Sequence, residues 1–268
     1  LHQQARNFDL TARESAQKLG LDLVELDSWQ CCGAVFTLAS DAVINLVAPY
    51  RALASADRDG ADLVTMCSGC LNVLRRTNRL VASDQEIRGK LAAFVELEYT
   101  GQRKVHHLLE LLKQEVTFAA LASRVTTQLL GLRVAPYYGC LLLRPAEEMA
   151  FDDPEAPTIF EDYLRALGAE PVDFPLKTEC CGAFVSLHQG NLDAAAAVAR
   201  SAATAKADLV VTSCPTCSYN LERAAPQLPV VYFTQLLALA LGLDGAFVGH
   251  AVDPRPVLKQ KSLLPEVS

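Results

Sequence analysis

The trio Cys-Cys-Gly occurs twice in this chain, at Cys31-Cys32-Gly33 and at Cys180-Cys181-Gly182. Each is followed by a Cys-x-x-Cys, at Cys67-Cys70 and at Cys214-Cys217. The second cysteine of the pair and the first of the next motif are 35 positions apart in one half (32 to 67) and 33 in the other (181 to 214). The flanks repeat as well. "KLGLDLVELDSWQCCGA" parallels "ALGAEPVDFPLKTECCGA", and "ADLVTMCSGCLNVL" parallels "ADLVVTSCPTCSYNL". Such self-similarity marks an internal duplication and ties any fold to two related halves.

The same structural phrase is legible in both. A helix stops at Leu19-Gly20 and at Leu167-Gly168, glycine being a natural helix end. Short strands are expected around Leu23 to Leu26 and Pro171 to Phe174. The CCG follows, and then a helix (Asp41 to Ala56; Leu192 to Ala205). A buried strand comes next (Asp62 to Thr65; Asp208 to Thr212), and at its carboxyl end the Cys-x-x-Cys opens a further helix. Alternating strands and helices predict an α/β fold of two duplicated halves, each a small parallel sheet flanked by helices. The cysteines then fall at the carboxyl edge of the strands, where such sheets bind ligands. The expected division is a first repeat over 1–83, a helical connector over 84–130, a second repeat over 131–249 and an extended tail over 250–268. In the connector, "KVHHLLELLKQEV" carries Val105, Leu108, Leu109, Leu112 and Val116 as a helical stripe. The apolar run Val230 to Leu243 has the length of a buried helix rather than a membrane span.

Adjacent cysteines do not readily bond to each other, because disulfide geometry resists it. In a chain with no visible secretion signal, the nine cysteines point instead to metal or redox chemistry and to a cytoplasmic protein. Cys140, in "VAPYYGCLLLRP" at the end of another expected strand, adds a fifth thiol to Cys180, Cys181, Cys214 and Cys217. Structural zinc closes its shell with four ligands, as does an ordinary cubane cluster. Two adjacent thiols aimed at different metal atoms suit a multi-iron cluster. Gly33 and Gly182 permit either close backbone approach to it or a turn closed to other residues. The first half shows Cys31, Cys32, Cys67 and Cys70; by the repeat, a partner of Cys140 is expected upstream of Leu1. A net charge of −7 disfavours a nucleic-acid partner.

Taken together, the doubled cysteine pattern, "VAPYYGCLLLRP", "SCPTCSYNL" and "VVYFTQLLALALG" resemble the B subunit of heterodisulfide reductase and its cysteine-rich CCG-domain relatives, over nearly the whole chain. The resemblance implies two noncubane [4Fe-4S] clusters. One would be held by Cys140, Cys180, Cys181, Cys214 and Cys217, the other by Cys31, Cys32, Cys67, Cys70 and the upstream cysteine. It further implies a ferredoxin-like iron–sulfur subunit and a flavin subunit as partners, and reductive cleavage of a small disulfide. The alternative is an electron-transfer or docking subunit of a larger reductase or bifurcating complex. Two plainer readings are a zinc-held scaffold and metal-free dithiol exchange at the two Cys-x-x-Cys motifs; the latter leaves the adjacent pairs unexplained.

Other residues carry paired readings. His106-His107 is expected on a helix, as surface or packing residues. His188 is either a helix-end histidine or a proton donor at a substrate mouth. Trp29 either shields the first cluster or packs in the core, Tyr137-Tyr138 sit beside a cluster or in a strand wall, and Arg144 either attracts an anion or lies on the surface. Pro215 sits in a helix first turn, where proline is tolerated.

Overall fold

The computed structural model describes residues 5–27, 29–31, 43–225 and 227–265. In chain order, helix α1 (Arg6–Lys18) is followed by α2 (Val47–Arg58), strand β1 (Leu63–Thr65), α3 (Ser68–Ser83), α4 (Gln85–Val95), β2 (Val105–His107), α5 (Leu108–Leu111) and α6 (Phe118–Arg124). The second half runs β3 (Arg133–Tyr137), α7 (Ala146–Met149), α8 (Ile159–Ala166), β4 (Glu170–Pro171), α9 (Ala183–Gln189), α10 (Asp193–Thr204), β5 (Leu209–Thr212), α11 (Pro215–Ala224), β6 (Val230–Tyr232), α12 (Phe233–Ala240) and α13 (Arg255–Gln260). The helix stops fall where glycine placed them: Gly20 and Gly168 take φ of +75° and +84°, a region only glycine enters freely.

Two compact units form. The larger comprises Leu1–Leu23, Leu112–Cys140 and Asp152–Ser268, the smaller Val24–Leu111 and Leu141–Phe151. In the larger unit four parallel strands lie in the order β4-β3-β5-β6. Strand β5 is buried throughout as "LVVT", a run suited to a parallel sheet covered on both faces. Helix α1 packs on α12: Phe8 stacks on Tyr232 with ring centroids 4.2 Å apart, and the Thr11 and Thr234 hydroxyls lie 2.7 Å apart. In the smaller unit β1 and β2 pair in parallel, Leu63 opposite Val105 and Thr65 opposite His107.

This division differs from the one read along the chain. Helix α1, first-repeat by sequence, lies in the larger unit. The segment 84–130 is not helical throughout, because Val105–His107 pairs with β1 and joins the smaller unit. The duplication extends across it: the His107 amide donates to Glu110 Oε2 at 2.7 Å, as the Tyr232 amide donates to Gln235 Oε1 at 2.9 Å. Both strands therefore run straight into helices, the amide of the cap residue donating in each to the side chain three positions on. The expected helix over Val230 to Leu243 is likewise a strand and then a helix. Leu23 to Leu26 is not a strand among the described residues, and the strand expected over Pro171 to Phe174 shrinks to Glu170–Pro171. The ladder on β3 carries β4 only as far as Val134 opposite Pro171. The tail is not wholly extended, since α13 forms with Pro256 in its first turn.

Candidate metal centre

The sequence of strands in the larger sheet reverses between β3 and β5. The chain passes from β3 to β4 on one side and then to β5 on the other. At such a reversal the loops leaving adjacent strands diverge and open a crevice beyond their carboxyl ends. Cys140 follows β3, Cys180 and Cys181 follow β4, and Cys214 and Cys217 follow β5. The crevice is thus furnished with five thiols from three strand ends.

Local chemistry fixes each loop. Past Tyr137, the amides of Tyr138 and Gly139 both donate to the Lys177 carbonyl, at 3.0 and 3.2 Å. The buried Tyr137 hydroxyl donates to the Glu179 carbonyl at 2.7 Å. These bonds tie the loop bearing Cys140 to the one bearing Cys180. Lys177 is anchored in turn by Glu161, 2.7 Å away, which also accepts from the Tyr138 hydroxyl. After β5, the Cys214 amide donates to Thr212 Oγ1 at 3.4 Å, and Cys214 then caps α11, placing Cys217 in its first turn. The smaller unit repeats the device. The Cys67 amide donates to Thr65 Oγ1 at 3.3 Å, and Cys67 caps α3, with Cys70 in the first turn.

The sulfurs meet in a chain of contacts. Cys181 Sγ lies 3.5 Å from Cys217 Sγ. Cys180 touches both Cys140 and Cys181, and Cys217 touches Cys214. Cys181, Cys214 and Cys217 are buried, Cys140 is half-buried and Cys180 is exposed. Crowding separates their acidities. Hydrogen bonds from the Cys140 and Cys181 thiols, aided by the Gly182 and Ala183 amides, pull Cys180 down to about 2. Cys140 is pushed up by its bond to Cys180 and by burial, and Cys181 rises to about 12 through its bond to Cys180. Cys217 is pushed up by its contacts with Cys181 and Cys214 and by burial. Such a group of thiols ionises together only when cationic charge is placed among them.

Among the described residues, no three His, Cys, Asp or Glu side chains are set as a ready pocket for one metal ion. Sulfurs linked pairwise rather than converging on one point, and five rather than four in number, fit a polynuclear iron–sulfur group better than a tetrahedral zinc. Space is kept for them: a Cβ on Gly139 would lie 3.3 Å from Cys217 Sγ. Gly182 turns at φ +73°, leading the chain from the cysteine pair directly into α9.

In the smaller unit Cys67 is buried, Cys70 half-buried and Cys31 exposed, while Cys32 and Gly33 lie outside the described residues. None of the eight described cysteines is in a disulfide.

His106 and His107 lie on strand β2, not on a helix, and His107 is fully buried beside the Cys67 loop. The Leu109 amide donates to its Nδ1 at 3.2 Å, so Nε2–H donates to the Met66 carbonyl, 2.9 Å away, one residue before Cys67. Burial, with the charge of Arg75, lowers its pKa to about 3 from 6.5. Between those values the unfolded chain binds a proton that the native state excludes. Stability is therefore full above about pH 6.5 and falls as pH drops towards 3, by up to about 1.4 kcal/mol per pH unit. Urea unfolding at pH 7.5 and 5.5 is expected to show a steeper loss in the native protein than in a His107→Gln variant; equal losses refute the assignment.

Asn220 is a second residue missed in the sequence. It is fully buried, and its Nδ2 lies 3.6 Å from Cys181 Sγ. It stands three residues beyond Cys217 on α11, a spacing that shares a helix face. His188 is exposed in the last turn of α9, and Trp29 is half-exposed rather than core. Arg144 lends its carbonyl to Asn72 at 2.7 Å.

Known proteins share the pattern of this chain. The family model described as "CCG: Cysteine-rich domain" matches residues 2–75 and 134–222. The chain is 33% identical over 249 residues to the 8-methylmenaquinol:fumarate reductase membrane anchor subunit of Wolinella succinogenes, covering 87% of this chain and 86% of that one. It is 32% identical over 249 residues to the B subunit of the ferredoxin/F(420)H(2)-dependent CoB-CoM heterodisulfide reductase of Methanosarcina acetivorans (85% and 82% covered). A protein of Archaeoglobus profundus, described as like the B subunit of heterodisulfide reductase, is 28% identical over 278 residues (96% and 93% covered). Among solved structures, a hypothetical protein from Helicobacter pylori shares the fold, with a TM-score of 0.73 at 12% identity over 94% of this chain and 50% of that one. The two matched segments each carry one CCG and one Cys-x-x-Cys, and the chain belongs to the CCG family of cysteine-rich domain proteins, alongside the B subunit of heterodisulfide reductase.

Proposed function

We propose that the chain is an iron–sulfur subunit of a heterodisulfide reductase-like complex and reductively cleaves a disulfide or related sulfur substrate. Two noncubane [4Fe-4S] clusters are its cofactors, one held by Cys140, Cys180, Cys181, Cys214 and Cys217 and one held through Cys31, Cys32, Cys67 and Cys70. Electrons come from a ferredoxin-like iron–sulfur subunit working with a flavin subunit. Such clusters, when bound, supply single electrons, two of which with two protons convert a disulfide to two thiols. The observation that carries the reading is the convergence of five thiols from three strand ends at the sheet's reversal point. Cys180, the exposed member, marks the open side of that site, with His188 exposed on the helix that follows. A reducing cytoplasm suits a chain whose described cysteines form no disulfide.

The relative named as a membrane anchor subunit of a fumarate reductase favours a second reading, an electron-relay or docking subunit without its own substrate. No helix among the described residues is long and apolar enough to cross a membrane. Two measurements separate the readings. Anaerobically prepared protein is first assayed for iron and acid-labile sulfide; iron-free protein sinks both. A small disulfide is then added to the reduced protein. Thiol release in proportion to the electrons stored supports the reductase, and a silent reduced protein supports the relay.

A further inference from the structure

We infer that Asn220 is a positioning residue that sets the electron affinity of the larger unit's metal centre. The inference rests on the iron–sulfur reading and adds to it a residue that is not a ligand. Asn220 lies on α11 and points its amide Nδ2 at Cys181 Sγ, 3.6 Å away. Its orientation is not arbitrary. A metal-bound thiolate only accepts hydrogen bonds, so the amide must turn its N–H side to the sulfur. That leaves Oδ1 facing Ser186 Oγ at 2.8 Å, and the serine hydroxyl donates to it. Ser186 also lies 3.0 Å from the Ala183 carbonyl, which pins it one turn into α9, the helix that opens right after the cysteine pair. All three groups are buried, where a hydrogen bond to a charged sulfur is felt most strongly.

An N–H donated to a sulfur ligand stabilises the more negative, reduced state of the centre and so raises its potential. The matching position in the smaller unit carries no donor side chain. With Cys67 and Cys214 as matching caps of α3 and α11, the residue six positions on is Asn220 in one and Val73 in the other. Val73 is buried and its side chain has no hydrogen-bonding group. The two copies thus differ at one side chain, which in the larger unit lies beside a sulfur.

The test uses the complete, anaerobically assembled protein. In Asn220→Leu, which keeps the side chain's size, the midpoint potential of the larger unit's centre is expected to fall and its iron–sulfur stretching vibrations to shift, with iron and sulfide content unchanged. Ser186→Ala, which frees the amide to turn, is expected to lower the same potential by less. A fully iron-loaded Asn220→Leu protein with an unmoved potential overturns the inference. Should that variant not assemble, an unmoved potential in Ser186→Ala overturns it equally. Iron-free wild-type protein instead overturns the function on which it rests.

Discussion

Replacing Cys217 with alanine is expected to remove about half of the bound iron and sulfide, the share of one of two centres, and to abolish thiol release from an added disulfide. Cys217 is the buried hinge of the sulfur chain, touching Cys181 on one side and Cys214 on the other. Its loss leaves Cys140 and Cys180 paired on the outer side but takes away the inner contact that joins the β4 loop to α11. A matched Cys70→Ala variant is expected to remove the other half. Elemental analysis and electron paramagnetic resonance of the reduced protein read both. If either variant keeps its full iron, that cysteine is not a ligand. If one substitution empties both units, the sites do not assemble independently.

The second large effect concerns Arg75. Its guanidinium donates to both oxygens of Glu110, at 3.0 and 2.8 Å, to the Val105 carbonyl at 3.0 Å and to the Met149 carbonyl. Glu110 is almost fully buried and also caps the His107 amide. In Arg75→Met the carboxylate keeps that single amide and loses its countercharge. Breaking a buried pair from one side costs about 3–5 kcal/mol. Urea unfolding is expected to show a loss of that size, confined to the smaller unit. The double variant Arg75→Met with Glu110→Gln is expected to be more stable than Arg75→Met alone, because no charge is then stranded. Additive losses in the two single variants would mean that the ion pair is incidental.

How much of this was legible beforehand depended on whether a feature is local. The helix stops at Gly20 and Gly168 were, since a left-handed turn after a helix needs no distant partner. So were the β5 strand and the Cys-x-x-Cys at helix starts, because the repeat supplied each twice; Cys140, which it supplied once, was legible from its place at a strand end. His107 was not. The run from Val105 to Leu112 carries its apolar residues at spacings a helix would also use, and only pairing with β1, some forty residues earlier, makes the first three residues a strand. The partition into units was not legible either, because it rests on α1 packing against α12, far along the chain. Asn220 was within reach: a polar side chain one helical turn beyond a Cys-x-x-Cys cysteine, on the same face, is a candidate donor to the sulfurs.

The distribution of α1 has a bearing on ancestry and on gene fission. Phe8 and Thr11 come from the leading copy of the repeat, yet the rings and hydroxyls they meet, Tyr232, Phe233 and Thr234, belong to the trailing copy. Severing the polypeptide midway would strip α12 of its cover and leave a stacked tyrosine ring facing water. The two copies are therefore not separable modules: a gene encoding the trailing copy by itself would specify a protein whose core lacks the cover that Phe8 and Thr11 provide.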